Sequence, residues 1–266
     1  AFHGRTLGAL ALTGTEAYKV GFGEPLAGIE HVPYGDLEAV KARMGDDVAA
    51  IVVEPLIGEG GVVPAPEGFL AGLRELCDAH GSLLCFDEIQ TGMGRTGKLL
   101  AAEHTGVKPD ATTLAKGLGG GFPVGTLLLR EKLADGLPPG AHGTTFGGNP
   151  LASAAARTVL RVLREDGLIE AAARKGERLG KGLREVAGKH PEKCTGERGM
   201  GLLRAITLTD AVIARDLLPI AREHGLLVTA AGPGAMRFSP PLVISDDEID
   251  EALELADRTL AQVKIA

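Results

Sequence analysis

Two apolar runs in this sequence end abruptly on acidic residues. Ser82-Leu83-Leu84-Cys85-Phe86 stops at Asp87-Glu88, and Ala49-Ala50-Ile51-Val52-Val53 stops at Glu54-Pro55. Runs this short, without polar alternation, read as strands buried on both faces, the kind found in parallel sheets. Between them Pro66 opens a helix whose apolar residues Phe69, Leu70, Leu73, Leu76 and Cys77 keep helical spacing, with Gly81 at a C-cap position. A further strand is expected over 124–129. The alternation of strand and helix over 49–129 predicts an α/β fold with a mostly parallel central sheet. Open sheets of this kind bind ligands at the C-terminal strand ends, where these acids stand.

A single lysine, Lys116, follows the next apolar stretch, Thr112-Thr113-Leu114-Ala115, and precedes Gly117-Leu118-Gly119-Gly120-Gly121. Glycines admit a ligand close to the backbone, and an apolar setting is expected to lower a lysine's pKa toward the neutral, nucleophilic amine. Alone, Lys116 reads as a snorkelling or ion-paired lysine before it reads as a nucleophile. With Asp87 on a strand end and glycine turns nearby, it matches what pyridoxal phosphate needs: an imine-forming lysine and a carboxylate for the pyridine nitrogen.

Composition narrows the alternatives. A chain of 266 residues can bury a real core as one large domain or a large and a small one. With 28 basic against 35 acidic residues and 3% aromatics, it has neither the basic footprint nor the stacking platforms of a nucleic-acid binder. No apolar run reaches membrane-spanning length and no signal peptide opens the chain, so no membrane partner is expected. Cys77, Cys85 and Cys194 are an odd number without a C-x-x-C pair, which points to a reducing, cytoplasmic setting. Cys77, His80 and Cys85 read as helix stripe and strand interior, so no metal site is assigned.

Leu7 to Thr13 reads as helix or buried strand, and 14–35 as loop. Asp36 caps a short helix running to about Met44. Gly58-Glu59-Gly60-Gly61 is expected as a mobile, ligand-accessible turn, and 136–150 as a long functional loop. Helix is expected from Leu151 to about Gly188 with a break near Gly167. Beyond it the pattern is strand over 199–208, helix over 211–224, strand over 226–229 and 236–239, and a last helix from Asp246 to about Val263. These expectations divide the chain into a large domain, 1–168, and a smaller C-terminal α+β domain, 169–266. Gly92-Met93-Gly94-Arg95-Thr96-Gly97-Lys98-Leu99 imitates a P-loop, but Leu99 stands where a magnesium-binding Ser or Thr is required, and no strand leads directly into it.

Five motifs, in order and spacing, carry a resemblance. They are Phe2-His3-Gly4-Arg5-Thr6; Val53-Glu54-Pro55 with Gly58-Glu59-Gly60-Gly61; Phe86-Asp87-Glu88-Ile89-Gln90-Thr91-Gly92 with Gly94-Arg95-Thr96-Gly97; Leu114-Ala115-Lys116 with its glycines; and Thr144-Thr145-Phe146-Gly147-Gly148-Asn149-Pro150. Together they resemble the class III aminotransferases, nearest the acetylornithine and ornithine group, over essentially the whole chain. The resemblance implies the fold of type I pyridoxal-phosphate enzymes. It also implies pyridoxal 5'-phosphate as cofactor, an amino acid and a 2-oxo acid as substrates, and a homodimer.

Residue by residue, Lys116 resembles the imine lysine that also shuttles the proton. Asp87 resembles the acid on the pyridine nitrogen, and Gln90 the partner of the ring's phenolic oxygen. Phe2 resembles the ring-stacking residue, and Thr145 the hydroxyl reaching the neighbouring subunit's cofactor phosphate. Arg5 and Arg237 resemble the two carboxylate-reading arginines, with Glu59 masking the second. Glu54 reads as ordering the strand end beside Asp87 or as catalytic.

The reaction implied is transfer of the terminal amino group of an ω-amino acid, N-acetylornithine by best match, to 2-oxoglutarate. Ornithine or 4-aminobutyrate transfer, a glutamate-semialdehyde-type aminomutase, and a non-catalytic fragment are the alternatives. Ile57 stands where relatives usually carry Gln. Family chains extend upstream of Phe2, where their phosphate cradle lies. The expectation is that a longer protein supplies that cradle or that this polypeptide binds cofactor poorly.

Overall fold

The computed structural model describes residues 1–265. Its strands, in chain order, are β1 (Ala50–Val53), β2 (Leu56–Ile57), β3 (Val63–Pro64), β4 (Leu83–Asp87), β5 (Ala111–Leu114), β6 (Thr126–Leu129), β7 (Cys194–Met200), β8 (Leu203–Leu208), β9 (Thr229–Ala231) and β10 (Ala235–Phe238). Its helices are α1 (Leu7–Leu12), α2 (Leu37–Lys41), α3 (Phe69–His80), α4 (Pro150–Glu165), α5 (Leu168–Lys189), α6 (Leu217–Glu223) and α7 (Asp246–Gln262). The chain forms two compact units. One comprises Ala1–Pro55, Ala65–Met93 and Leu100–Asp166; the other comprises Leu56–Pro64, Gly94–Leu99 and Gly167–Ala266.

The first unit is built on a four-stranded sheet in the order β1-β4-β5-β6. β1, β4 and β5 run parallel and β6 antiparallel to β5, the mostly parallel α/β sheet expected from the apolar runs. α3 lays Phe69, Leu70, Leu73 and Cys77 against Val53, Leu84 and Phe86, all buried. Removing side chains of this size from water is worth roughly 1.5–3 kcal/mol each, which fixes the helix on the sheet. The helix ends where expected, at Gly81 with φ +70°.

The stretch 7–13, left open between helix and strand, is helix α1. Asp36 caps α2 by accepting a hydrogen bond from the Ala39 amide at 2.9 Å. Asp110, buried at the opposite strand end from Asp87, accepts from the Leu84 amide (3.0 Å) and from Arg74 Nη1 (2.6 Å), with Lys132 Nζ 2.8 Å away.

The second unit holds an antiparallel sheet in the order β7-β8-β10-β9, backed by α5, α6 and α7. Its core gathers Leu179 and Leu183 of α5, Ile206 of β8, Met236 of β10, and Ile249 and Leu260 of α7. α4 and α5 part at Gly167, which takes φ +62°, as the pattern predicted. Other expectations are corrected. The single strand over 199–208 is a hairpin that begins earlier, at Cys194, and reverses at Gly201-Leu202. The helix expected over 211–224 is regular only from Leu217, because Pro219 lacks an amide proton and is tolerated only in a first turn. The strand expected over 226–229 starts at Thr229, where pairing with Arg237 begins. The turn over 58–61 joins a short β2–β3 hairpin.

Residues 94–99 are not a phosphate loop. Arg95 donates to the Leu202 and Pro240 carbonyls (3.0 and 2.5 Å) and accepts from the Leu202 amide at 3.0 Å, strapping this segment to the β7–β8 turn. Backbone lies on backbone here. A Cβ on Gly201 (φ +51°) would sit 2.3 Å from the Thr96 carbonyl carbon, and one on Gly176 of α5 would sit 2.3 Å from Gly201. Glycines in this motif serve close approach of chain to chain.

Candidate active site

In the first unit the site begins where β4 delivers Asp87. Its register partner on β5 is Thr113, so the two strand ends lie side by side. The Asp87 carboxylate is buried. Oδ1 accepts from the Ile89 amide (3.0 Å) and from Thr113 Oγ1 (3.1 Å), while Oδ2 lies 2.7 Å from His3 Nδ1. A carboxylate only accepts, so the proton of that bond sits on Nδ1. His3 is the functional residue that sequence reasoning missed. Its signal was its place next to Phe2 in a motif already singled out, but its acid is 84 positions away.

Glu88, the second acid of the pair, faces elsewhere. It is fully buried and accepts from the amides of Ala101 and Ala102 (2.5 and 2.9 Å) and from Thr91 Oγ1 (3.0 Å). Burial pushes its pKa up, and those hydrogen bonds hold it back only in part. These contacts fix the turn after the strand.

Lys116 lies two residues past the end of β5, so its backbone is within about 10 Å of Thr113. Its φ is +44°, a left-handed conformation that costs a non-glycine residue roughly 1–2 kcal/mol. Strain of this kind concentrates at functional sites. The apolar enclosure expected for this lysine is not formed by the described residues: Lys116 is exposed.

Phe2 is half-buried. Its amide donates to Glu54 Oε1 at 3.0 Å, and its ring meets Tyr18 edge-on at 5.9 Å. Glu54 thus anchors the segment that carries Phe2. The Arg5 guanidinium lies 3.9 Å over the Tyr18 ring and 5.7 Å from the Phe2 ring, with no ion-pair partner among the described residues. Its fork is stacked and available for a carboxylate. Gln90 is half-buried in the turn after Asp87. Thr145 stands apart from these, in an exposed loop beside Phe146, whose side chain is 79% exposed.

The second unit brings Glu59 and Arg237 together. Arg237 on β10 is buried, donating from Nη1 to Glu59 Oε1 at 2.7 Å and from Nε to Thr229 Oγ1 at 3.0 Å. Glu59 thus occupies Nη1, a donor that a ligand carboxylate reaching this guanidinium would compete for. Ile57 is buried in β2, beneath Gly60.

The donor set suits a pyridine cofactor in its ring-binding part. Three donors occupy Asp87, leaving one of roughly four lone-pair directions for a ring N–H. Lys116 is an exposed amine with no ion pair among the described residues.

Comparison with known proteins gives the same direction. The family model described as Aminotransferase class-III matches residues 1–260. The chain is 47% identical over 262 residues to the acetylornithine aminotransferase of Pseudomonas putida, covering 98% of this chain and 64% of that protein. It is 50% identical over 251 residues to the acetylornithine aminotransferase of Myxococcus xanthus, covering 94% and 62%. Among solved structures, ornithine aminotransferase from Toxoplasma gondii superposes with a TM-score of 0.91 at 40% identity, covering 98% of this chain and 62% of that one. The chain therefore spans less than two thirds of the length of these relatives.

Proposed function

We infer from one premise, that this chain belongs to the class III aminotransferases, that it acts as a pyridoxal 5'-phosphate-dependent aminotransferase. The proposed reaction moves the terminal amino group of an ω-amino acid, N-acetylornithine by best match, to 2-oxoglutarate. The observation that carries the reading is the buried Asp87 carboxylate, braced by His3 and Thr113, with Lys116 leaving the adjoining strand end. When bound, the cofactor supplies a protonated ring that draws electrons from a substrate carbon.

The chain's own residues do the rest. Asp87 holds a proton on the ring nitrogen, and His3 and Thr113 keep that carboxylate aimed. Lys116 holds the cofactor, then takes and returns a proton at the amino-bearing carbon. Phe2 covers one ring face and Gln90 binds the ring oxygen. Arg5 takes the carboxylate of the ω-amino donor. Arg237 takes a carboxylate of glutamate or 2-oxoglutarate once Glu59 yields. That masked arginine favours two-substrate transfer over an aminomutase, which handles one carbon skeleton.

Borohydride reduction of the cofactor-loaded full-length protein followed by peptide mapping tests the assignment. The pyridoxyl group should be found on Lys116, and label on another lysine would refute it. A panel of amino donors with 2-oxoglutarate then sorts N-acetylornithine from ornithine and 4-aminobutyrate. The exposed Thr145–Phe146 loop supports a homodimer in which Thr145 reaches the partner's cofactor phosphate; sedimentation should give twice the chain mass. The odd, unpaired cysteines support a cytoplasmic location.

A further inference from the structure

The four-stranded sheet of the second unit carries a row of residues in register: Arg198 on β7, Ala205 on β8, Arg237 on β10 and Thr229 on β9. Register partners share a face, so two guanidiniums rise from the same side of the sheet with only the methyl of Ala205 between them. Both turn to one short segment. Arg237 holds the side chain of Glu59, and Arg198 Nε donates to the Gly61 carbonyl at 2.9 Å. The Gly232 amide fixes the Glu59 carbonyl at 2.7 Å from a third side.

Segment 58–62 does not rest easily in this grip. Val62, fully buried, has φ +57°, which a β-branched side chain strongly resists. Left to itself the segment would relax, carrying Glu59 with it. Arg198 forms no ion pair with any described acid, and its Nε is committed to this segment. Burial pushes its pKa down, the mark of a cation held without a counter-charge. A residue kept for stability alone would be better served by an apolar side chain.

We propose that Arg198 is a positioning residue for acid recognition: by gripping the Gly61 carbonyl it holds Glu59 on Arg237, and so sets how readily a substrate carboxylate displaces Glu59. The inference rests on the reading that Arg237 binds a substrate carboxylate. It adds the residue that sets the strength of the mask. A protein whose binding-ready state is rare shows an apparent affinity lowered by that fraction. Weakening the mask therefore tightens the binding of a dicarboxylate.

Glutarate, titrated calorimetrically into the full chain, is the probe. Arg198→Gln should bind glutarate about fivefold to tenfold tighter than the parent, up to about 1.4 kcal/mol, and its Gly61 and Val62 amides should exchange faster. Gly61→Ala, whose Cβ would press on Arg198 Nη2 at 2.7 Å, should shift affinity the same way from the other side of the contact. Arg198→Lys, which keeps a donor for the carbonyl, should restore parental affinity. Once Glu59→Gln has removed the mask, Arg198→Gln should have no further effect.

Unchanged or weaker binding in folded Arg198→Gln, or a full additional effect in the Glu59→Gln background, overturns the proposal. Should Arg198→Gln not fold, parental affinity in Gly61→Ala overturns it equally. If glutarate binds the parent and Arg237→Ala alike, or neither, the carboxylate reading of Arg237 itself falls, and the role of Arg198 with it.

Discussion

Alanine at Gly176 should destabilise the protein, although alanine is the better helix former. Gly176 lies inside α5, where replacing glycine ordinarily gains about 1 kcal/mol. Here the added Cβ would meet the carbonyl carbon and oxygen of Gly201 at 2.3 Å and its Cα at 2.4 Å. These are backbone atoms in a tight turn, itself pressed on Thr96, so no side-chain rotation relieves the clash. Overpacking of this kind costs about 3 kcal/mol at the upper end of its usual range, leaving a net loss of about 2 kcal/mol after the propensity gain. At this chain length that is a fall of about 4–8 °C in melting temperature.

Gly188 supplies the control. It lies in the same helix, and a Cβ added there would have nothing within 4 Å, so Gly188→Ala should gain about 0.5–1 kcal/mol. Thermal melts followed at 222 nm, with urea titrations beside them, read both variants. Gly176→Ala melting at or above the parent, or both variants shifting the same way, would refute the close-approach argument.

Three further outcomes follow from the geometry. His3→Ala leaves a buried carboxylate without its 2.7 Å donor, so pyridoxal phosphate affinity, read by absorbance titration, should fall about tenfold or more. Lys116→Gly should be at least as stable as Lys116→Ala in denaturant, the reverse of the usual order, because φ +44° favours glycine at an exposed position where no packing is lost. Burial alone would raise the pKa of Asp110, but hydrogen bonds from Lys132, the Leu84 amide and Arg74 more than offset it and hold the group well below its ordinary value. Its contribution is therefore present above the unfolded-state value of about 3.9 and lost as pH falls below it; Asp110→Asn should flatten that acid limb of the stability curve.

What could be read in advance was what is encoded locally. The apolar runs ending in Asp87 and Glu54, the helix closed by Gly81 and the break at Gly167 depend on neighbours within a few positions, and all three stand in the structure, although the helix begins at Phe69 after Gly68 and not at Pro66. The misread parts depend on distant partners. Within 199–208 the only local mark of a reversal is glycine, at Gly199 and Gly201, without the Asn, Asp, Ser or Pro that usually accompanies a turn, and the tight fit against residues 95–97 and Gly176 is a distant contact. The bracing of Asp87 by His3 and the grip of Arg198 on Gly61 join residues 84 and 137 positions apart. The left-handed backbone at Lys116 and its exposure are likewise set by the folded chain and not by its neighbours in sequence.

Hydrogen-bonded strands keep a fixed pitch, so the guanidinium-bearing strands β7 and β10, separated by β8, stand about 10 Å apart whatever fills the core behind them. That distance is a ruler built of main chain. Repacking α5 or α7 would therefore leave the spacing of the two guanidiniums unchanged. What can differ is segment 58–62, whose Gly61 carbonyl meets one of those cations and whose Glu59 side chain meets the other.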